Sequence, residues 1–217
     1  RPKTKLMKQL TLLIFIMMAS FFSQGVLAQN IKLPEPDKKG GMPLMQALNE
    51  RSSHREFSAK ELTMDHLSGL LWAACGINRA DLGKRTAPSA RNWQDVQVYV
   101  FLNSGIYLYN EKNHELELIL KGNHQAAAGK QDFVSTAPVN LVYVVDFNKM
   151  EGADESQRDF YKGINTGFMS QNVYLYCASQ QINTVVRALV DRDALHELMK
   201  LNPDQQVVVA QSVGYRP

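Results

Sequence analysis

The sequence predicts an α+β domain with strands and helices intermingled and no fixed repeat, and three observations carry that prediction. Val96, Val98, Val100 and Leu102 alternate with Gln97, Tyr99 and Phe101, and two more short strand-like runs follow after turns, which makes a meander with a solvated face. Val139 to Val145 is almost unbroken β-branched and apolar sequence, the mark of a strand buried on both sides. Gly163 to Gln180 carries Ile164, Phe168, Met169, Val173, Leu175 and Tyr176 around more than one side. Such a helix must be enclosed, by its own domain or by a second subunit.

In chain order, residues 1–28 read as a cleavable targeting segment. Lys3, Lys5 and Lys8 precede an apolar run from Leu10 to Phe22, and Val26-Leu27-Ala28 precedes a cut before Gln29. The run falls short of the about 20 apolar residues of a membrane span. The expectation is an exported, periplasmic protein with no stable span after cleavage. Four of the 24 Lys and Arg lie in this segment, and the remaining 20 face 21 Asp and Glu, a net charge near −1. No basic stripe remains to bind nucleic acid.

The rest is one domain's worth of chain, about 190 residues, enough to bury a core. Residues 29–43, rich in Pro, Gly and Lys, read as an exposed N-terminal arm ahead of a domain over 44–217. Leu44, Ala47 and Leu48 share one helical face. Thr63 is an N-cap for a helix whose Leu67, Leu70, Leu71 and Ala74 point to the core and which ends near Gly76, while Asn78 to Arg85 reads as a polar loop. The meander's second and third strands run from Ile106 to Tyr109 and Leu116 to Leu120, and a short helical passage follows from Gln125 to Phe133. His124 reads as a ligand-loop residue or as an ordinary capping histidine. Asp191 caps a helix stopped at Asn202-Pro203, and Gln206 to Val213 is a final strand. Cys75 and Cys177 lie in apolar, helix-like settings that favour buried free thiols over a disulfide. No His/Cys pair has zinc-ligand spacing, and no metal is expected.

The stretch Arg51-Ser52-Ser53-His54-Arg55-Glu56-Phe57 packs two guanidiniums and two hydroxyls into five residues. Arg offers a planar fork of donors matched to phosphate oxygens, so the density points to an anion site, with a solvated turn as the plain alternative. A Ser-His hydrolase built on Ser53 and His54 is a poor reading. Adjacent residues on a turn rarely reach each other, and the chain has no Gly-x-Ser-x-Gly.

Arg51-x-Ser53-x-Arg55 resembles the phosphate anchor of the FMN-dependent nitroreductase family. Pro88-Ser89-Ala90-Arg91-Asn92-Trp93-Gln94, leading into Val98-Tyr99-Val100, resembles that family's second flavin-contacting loop, in which an Asn before a strand faces the ring system. Gly167 to Ala178, with Gln171-Asn172, is similar to the family's long central helix, and Thr184 to Val186 and Val213-Gly214-Tyr215 follow in the family's order. Gly105-Ile106-Tyr107-Leu108-Tyr109, Leu120 to His124 and Thr136-Ala137-Pro138 resemble, more narrowly, the branch of dehydrogenases that oxidise azoline rings in modified peptides.

The resemblance implies a central, mostly antiparallel sheet flanked by helices, and an intertwined homodimer with one FMN at each of two interface sites. It implies NAD(P)H as electron donor and a nitroaromatic, quinone or other small acceptor, served by a ping-pong route. A flavin brings its own redox reactivity, so no catalytic nucleophile or acid/base pair is required of the protein. Arg51, Ser53 and Arg55 would hold the phosphate, with Ser52 helping. Pro88, Ser89 and Asn92 would lie against the ring or ribityl chain, and Arg187, Ala188 and Leu189 would bring backbone N–H groups near the reactive flavin nitrogen. Many members carry Glu-Gly where this chain has Ala188-Leu189, and many continue with basic residues past Gly-Tyr. Arg216 is this chain's terminal candidate for the phosphate, or a solvated tail residue. Arg91 either reaches the cofactor or narrows the substrate entrance. The departure at Ala188-Leu189 motivates a second expectation, a flavin-binding protein without turnover.

Overall fold

The structure, a computed structural model, describes residues 29–217. The targeting segment read over residues 1–28 lies outside the described residues. In chain order the elements are β1 (Ile31–Lys32), α1 (Leu44–Glu50), α2 (Met64–Cys75), β2 (Ile77–Arg79), β3 (Lys84–Arg85), β4 (Val96–Leu102), β5 (Gly105–Asn110), β6 (Glu115–Lys121), β7 (Val139–Asp146), α3 (Glu155–Ser179), β8 (Asn183–Arg187), α4 (Arg192–Leu198) and β9 (Gln205–Gly214). Seven strands form one sheet in the order β1-β6-β5-β4-β7-β9-β8, and every pairing is antiparallel.

The strand at 139–145 has no polar face because it lies near the middle of this sheet with a core on each side. Leu141 and Tyr143 pack with Leu70 and Leu71 of α2 and Met169 and Val173 of α3. Val142 and Val144 pack on the other face with Ala128, Leu195 and Met199. The same division sends Val98 and Val100 one way and Tyr99 and Phe101 the other, so β4 lacks the solvated face expected of the meander. Short 3₁₀ turns at Gln125–Ala128 and Asp132–Val134, together with α4, cover that side. Among the described residues no helix is long and apolar enough to cross a membrane, and no group of three or more His, Cys, Asp or Glu could hold a metal ion.

Local signals explain the boundaries. Thr63 caps α2 by accepting from the His66 N–H, and Asp191 caps α4 by accepting from the Ala194 N–H. α3 begins at Glu155, well before Gly163, because Asp154 and Gln157 form a reciprocal capping box ahead of a polar first half. The segment expected as an exposed arm is docked at its start. Ile31 and Lys32 pair with Leu116 and Glu115, and Leu33 is buried, while Asp37 to Gly41 stay exposed. Cys75 and Cys177 are free and buried, and burial pushes the Cys75 thiol up to about 12 and the Cys177 thiol higher still. Neither is a reactive thiolate at neutral pH.

The expected polar loop at 78–85 is instead a small hairpin, β2 with β3, turned through Gly83 at φ 58°. The hairpin carries Arg85 inward to 4% exposure. There Nη2 meets Glu111 Oε1 at 2.6 Å, and Nη1 donates to the Gln94 and Val96 carbonyls at 3.3 and 2.9 Å. Removing the carboxylate leaves a buried cation uncompensated. Glu111→Ala should lower unfolding free energy by about 3 kcal/mol, read by urea denaturation at neutral pH.

Candidate functional site

β8 ends the sheet, and its outer edge is covered by the Arg51 to Phe57 segment. The His54 N–H donates to the Thr184 carbonyl at 3.0 Å, and Asn183 Nδ2 donates to the Glu56 carbonyl at 2.8 Å. Phe57 anchors the segment by burying against Ala137 and Val185. The chain arrives extended because α1 stops at Arg51, which leaves the helical region at φ −57°, ψ 119°. Ser53 Oγ then lies 2.9 Å from the Tyr174 hydroxyl, and that hydroxyl accepts from the Val186 N–H at 2.9 Å. Tyr174 thereby ties the polar cluster, α3 and β8 together.

The cluster's charges are unspent. Arg51 is half-buried with its guanidinium 5.3 Å over the Tyr174 ring, and Arg55 is exposed. Neither has a carboxylate within ion-pair distance among the described residues. Ser52 is exposed, and its hydroxyl meets His54 Nε2 at 2.7 Å. Two guanidiniums with no ion pair among the described residues, in one segment with two serine hydroxyls, are the donor types that a phosphate takes.

The second block is a strained loop. Arg91, Asn92 and Gln94 sit at φ 49°, 58° and 50°, a left-handed region that costs a non-glycine residue roughly 1–2 kcal/mol. The Gln94 N–H donates to Ser89 Oγ at 2.9 Å, Gln94 Nε2 donates to the Gly83 carbonyl at 2.8 Å, and the Ala90 N–H donates to Asn165 Oδ1 at 3.1 Å. Asn165 is held in turn by donating from Nδ2 to Asp95 Oδ1 at 2.8 Å. Asp95 is fully buried with Oδ2 unpartnered, and burial holds its carboxyl above the usual range. Pro88, Arg91 and Asn92 project outward, and Arg91 lies 5.4 Å over the Trp93 ring.

The two blocks are anchored at different places on α3. Asn165, which holds the second, and Tyr174, which holds the first, are about two and a half turns apart on α3, roughly 13 Å along its axis and on opposite sides. The third block lies with the first. Arg187 closes β8, and Ala188 and Leu189 follow, both exposed. The Lys130 N–H donates to the Leu189 carbonyl at 3.2 Å, which brings Ala128 to Lys130 alongside them. Arg216 is exposed, and its neighbour Tyr215 accepts from the Ser58 N–H at 3.0 Å and hydrogen-bonds His66 Nδ1 at 2.7 Å.

The model of the nitroreductase family matches residues 48–215. The chain belongs to the nitroreductase family. A protein of Methanocaldococcus jannaschii assigned as a nitroreductase is 30% identical over 79% of this chain and 89% of its own length. The crystal structure of an assigned nitroreductase from Ralstonia eutropha superposes with a TM-score of 0.83 at 41% identity, covering 87% of this chain and 90% of that one. The fold also matches an NADPH:FMN oxidoreductase from Vibrio harveyi, with a TM-score of 0.60 at 20% identity over 80% of this chain and 68% of the other. The nitroreductase fold accounts for the antiparallel sheet with helices on its faces.

Sequence reasoning missed two parts of the candidate site. Tyr174 lies inside the recognised helix, but nothing in the sequence singles it out; its hydroxyl role depends on a strand that follows later in the chain. The Gln125 to Lys130 turn read as a short helical passage, and only the Lys130 to Leu189 bond places it. Tyr174→Phe removes the partner of both Ser53 and the Val186 N–H. It should cost about 1 kcal/mol in urea unfolding, with hydrogen exchange at Val186 accelerated.

Proposed function

We propose that this nitroreductase is an FMN-dependent NAD(P)H oxidoreductase working as a homodimer and passing electrons by a ping-pong route to a small acceptor such as a nitroaromatic or quinone. The observation that carries the reading is the pair of unpaired guanidiniums, Arg51 and Arg55, with Ser53 on the β8 edge. Family membership supplies the redox context. The name of the Vibrio harveyi fold relative joins NADPH and FMN in one protein.

Arg51, Ser53 and Arg55 bind the phosphate as charge-assisted partners, and Ser52 adds a hydroxyl or its backbone N–H. Arg187, Ala188 and Leu189 orient the ring through backbone groups. When bound, the flavin supplies the redox chemistry, and the chain's task is to hold it and exclude water. The loop of Pro88, Ser89 and Asn92 is anchored at Asn165, on the opposite side of α3 from Tyr174, which favours a ligand that takes the two blocks from different chains. An apolar surface suits such a partner. Leu44, Met45, Phe160 and Phe168 are 63%, 75%, 63% and 42% exposed, and Gly163 and Gly167 have open space beside them. Arg216 stands as a terminal candidate for the phosphate. Kinship to the azoline-oxidising branch rests on its short motifs, and periplasmic export rests on the pattern of residues 1–28.

A second reading, flavin binding without turnover, is motivated by Ala188-Leu189, where the family resemblance leads one to expect Glu-Gly and where Leu189 is 55% exposed. An absorption spectrum separates the two. The purified protein should be yellow, release FMN on denaturation and bleach anaerobically with NADPH; colour that NADPH leaves untouched supports the second reading. Arg51→Ala should weaken FMN binding by roughly 2 to 5 kcal/mol, thirtyfold or more, read by fluorescence titration of the apoprotein. Unchanged affinity contradicts the phosphate assignment.

A further inference from the structure

Arg187 closes β8 with its guanidinium inside the protein; the residue is 3% exposed. Every partner it has is neutral. Nε donates to Ser212 Oγ at 3.1 Å, Nη1 to the Ala128 carbonyl at 2.9 Å, and Nη2 to Asn140 Oδ1 at 2.9 Å. No carboxylate reaches it among the described residues, in contrast to the equally buried Arg85 with Glu111. The acceptors are fixed as well. Ser212 Oγ also donates to Asn140 Oδ1 at 2.6 Å, and Asn140 Nδ2 donates to Gln125 Oε1 and the Val134 carbonyl at 2.8 and 3.0 Å. Gly129 makes the enclosure possible, because a Cβ there would stand 1.9 Å from Nη1. Burial alone lowers the Arg187 pKa to about 10, which leaves the group charged at neutral pH.

A buried cation with no counter-charge is costly, and a negative charge arriving nearby would compensate it. We propose that Arg187 is the fixed charge that raises the reduction potential of the group held at the β8 edge, on the reading above that this group is FMN. Reduction by a dihydronicotinamide delivers two electrons and one proton, the nicotinamide leaves oxidised, and the site gains one negative charge. A fixed cation in a dry, low-dielectric setting stabilises that more negative state more strongly than water does. Arg187 is connected to both backbone segments bordering the site. Ala188 and Leu189 follow it directly, and Nη1 holds the Ala128 carbonyl two residues from the Lys130 N–H that donates to Leu189. It is a positioning residue that acts through its field and needs no contact with the reacting atoms.

The test is the midpoint potential of the FMN-loaded full chain, measured anaerobically by dye equilibration for wild type, Arg187→Met, Arg187→Lys and Asn140→Asp. Asn140→Asp keeps the guanidinium and its packing but sets a carboxylate against it, so it carries the test if Arg187→Met does not fold. Met and Asp should each shift the equilibrium toward the oxidised form by about tenfold or more, about 30 mV for a two-electron couple, while Lys stays within about threefold of wild type. Flavin-loaded Met or Asp variants with potentials within about twofold of wild type overturn the proposal. Failure of every form to bind FMN instead defeats the proposed function and this inference with it; bound flavin with an unmoved potential defeats this inference alone.

Discussion

The constraint on which the rest depends is the seating of α3. Its buried face, with Met169 and Val173 in the core, fixes the rotation of the helix, and that rotation sends Asn165 to one side and Tyr174 to the other. Each then fastens a polar loop: Asn165 receives the Ala90 N–H, and Tyr174 bridges Ser53 and Val186. Hydrophobic packing thus decides where the anchors of two polar blocks stand, about 13 Å apart along one helix. In the proposed homodimer that separation gives each site the first block of one chain and the second block of another.

Two buried arginines show how the same fold treats charge in different ways. Arg85 is neutralised by Glu111 and two carbonyls, and it locks the β2–β3 hairpin to the sheet. Arg187 has only amide, hydroxyl and carbonyl oxygens around it, and it sits where the sheet meets the proposed ligand. The first is accounted for by stability; the second leaves positive potential at the same sheet edge as Arg51 and Arg55. Of the six left-handed non-glycine residues among those described, Arg91, Asn92 and Gln94 fall in the second block, where carbonyl and side-chain hydrogen bonds hold the loop.

Much of the fold was legible in the sequence because the signals were local. Alternation marked β4, the unbroken apolar run marked β7, and Thr63 and Asp191 marked helix starts. What failed were features decided by tertiary contact. The start of α3 is polar and declared only by the Asp154 and Gln157 pair, and the hairpin at 77–85 forms because Arg85 finds Glu111. The solvated face expected on β4 vanished because 3₁₀ turns, which have no periodic signature, cover it. The site was legible as blocks and not as an arrangement. Arg51, Ser53 and Arg55 stand out by density of donors, whereas their distance from Asn92 follows from the helical phase of α3, which no short motif records.

The central claim is that one site is assembled from two chains across α3, and mixed dimers test it directly. Chains carrying Arg51→Ala are co-expressed with chains carrying Asn92→Ala under separate tags, and the doubly tagged species is assayed anaerobically for reduction of bound flavin by NADPH. Shared sites predict one intact site in each mixed dimer, with bound, reducible flavin in up to half the sites although each parent homodimer is defective. Mixed dimers no better than the mean of the two parents would mean that each chain builds its site alone, and the account would be wrong.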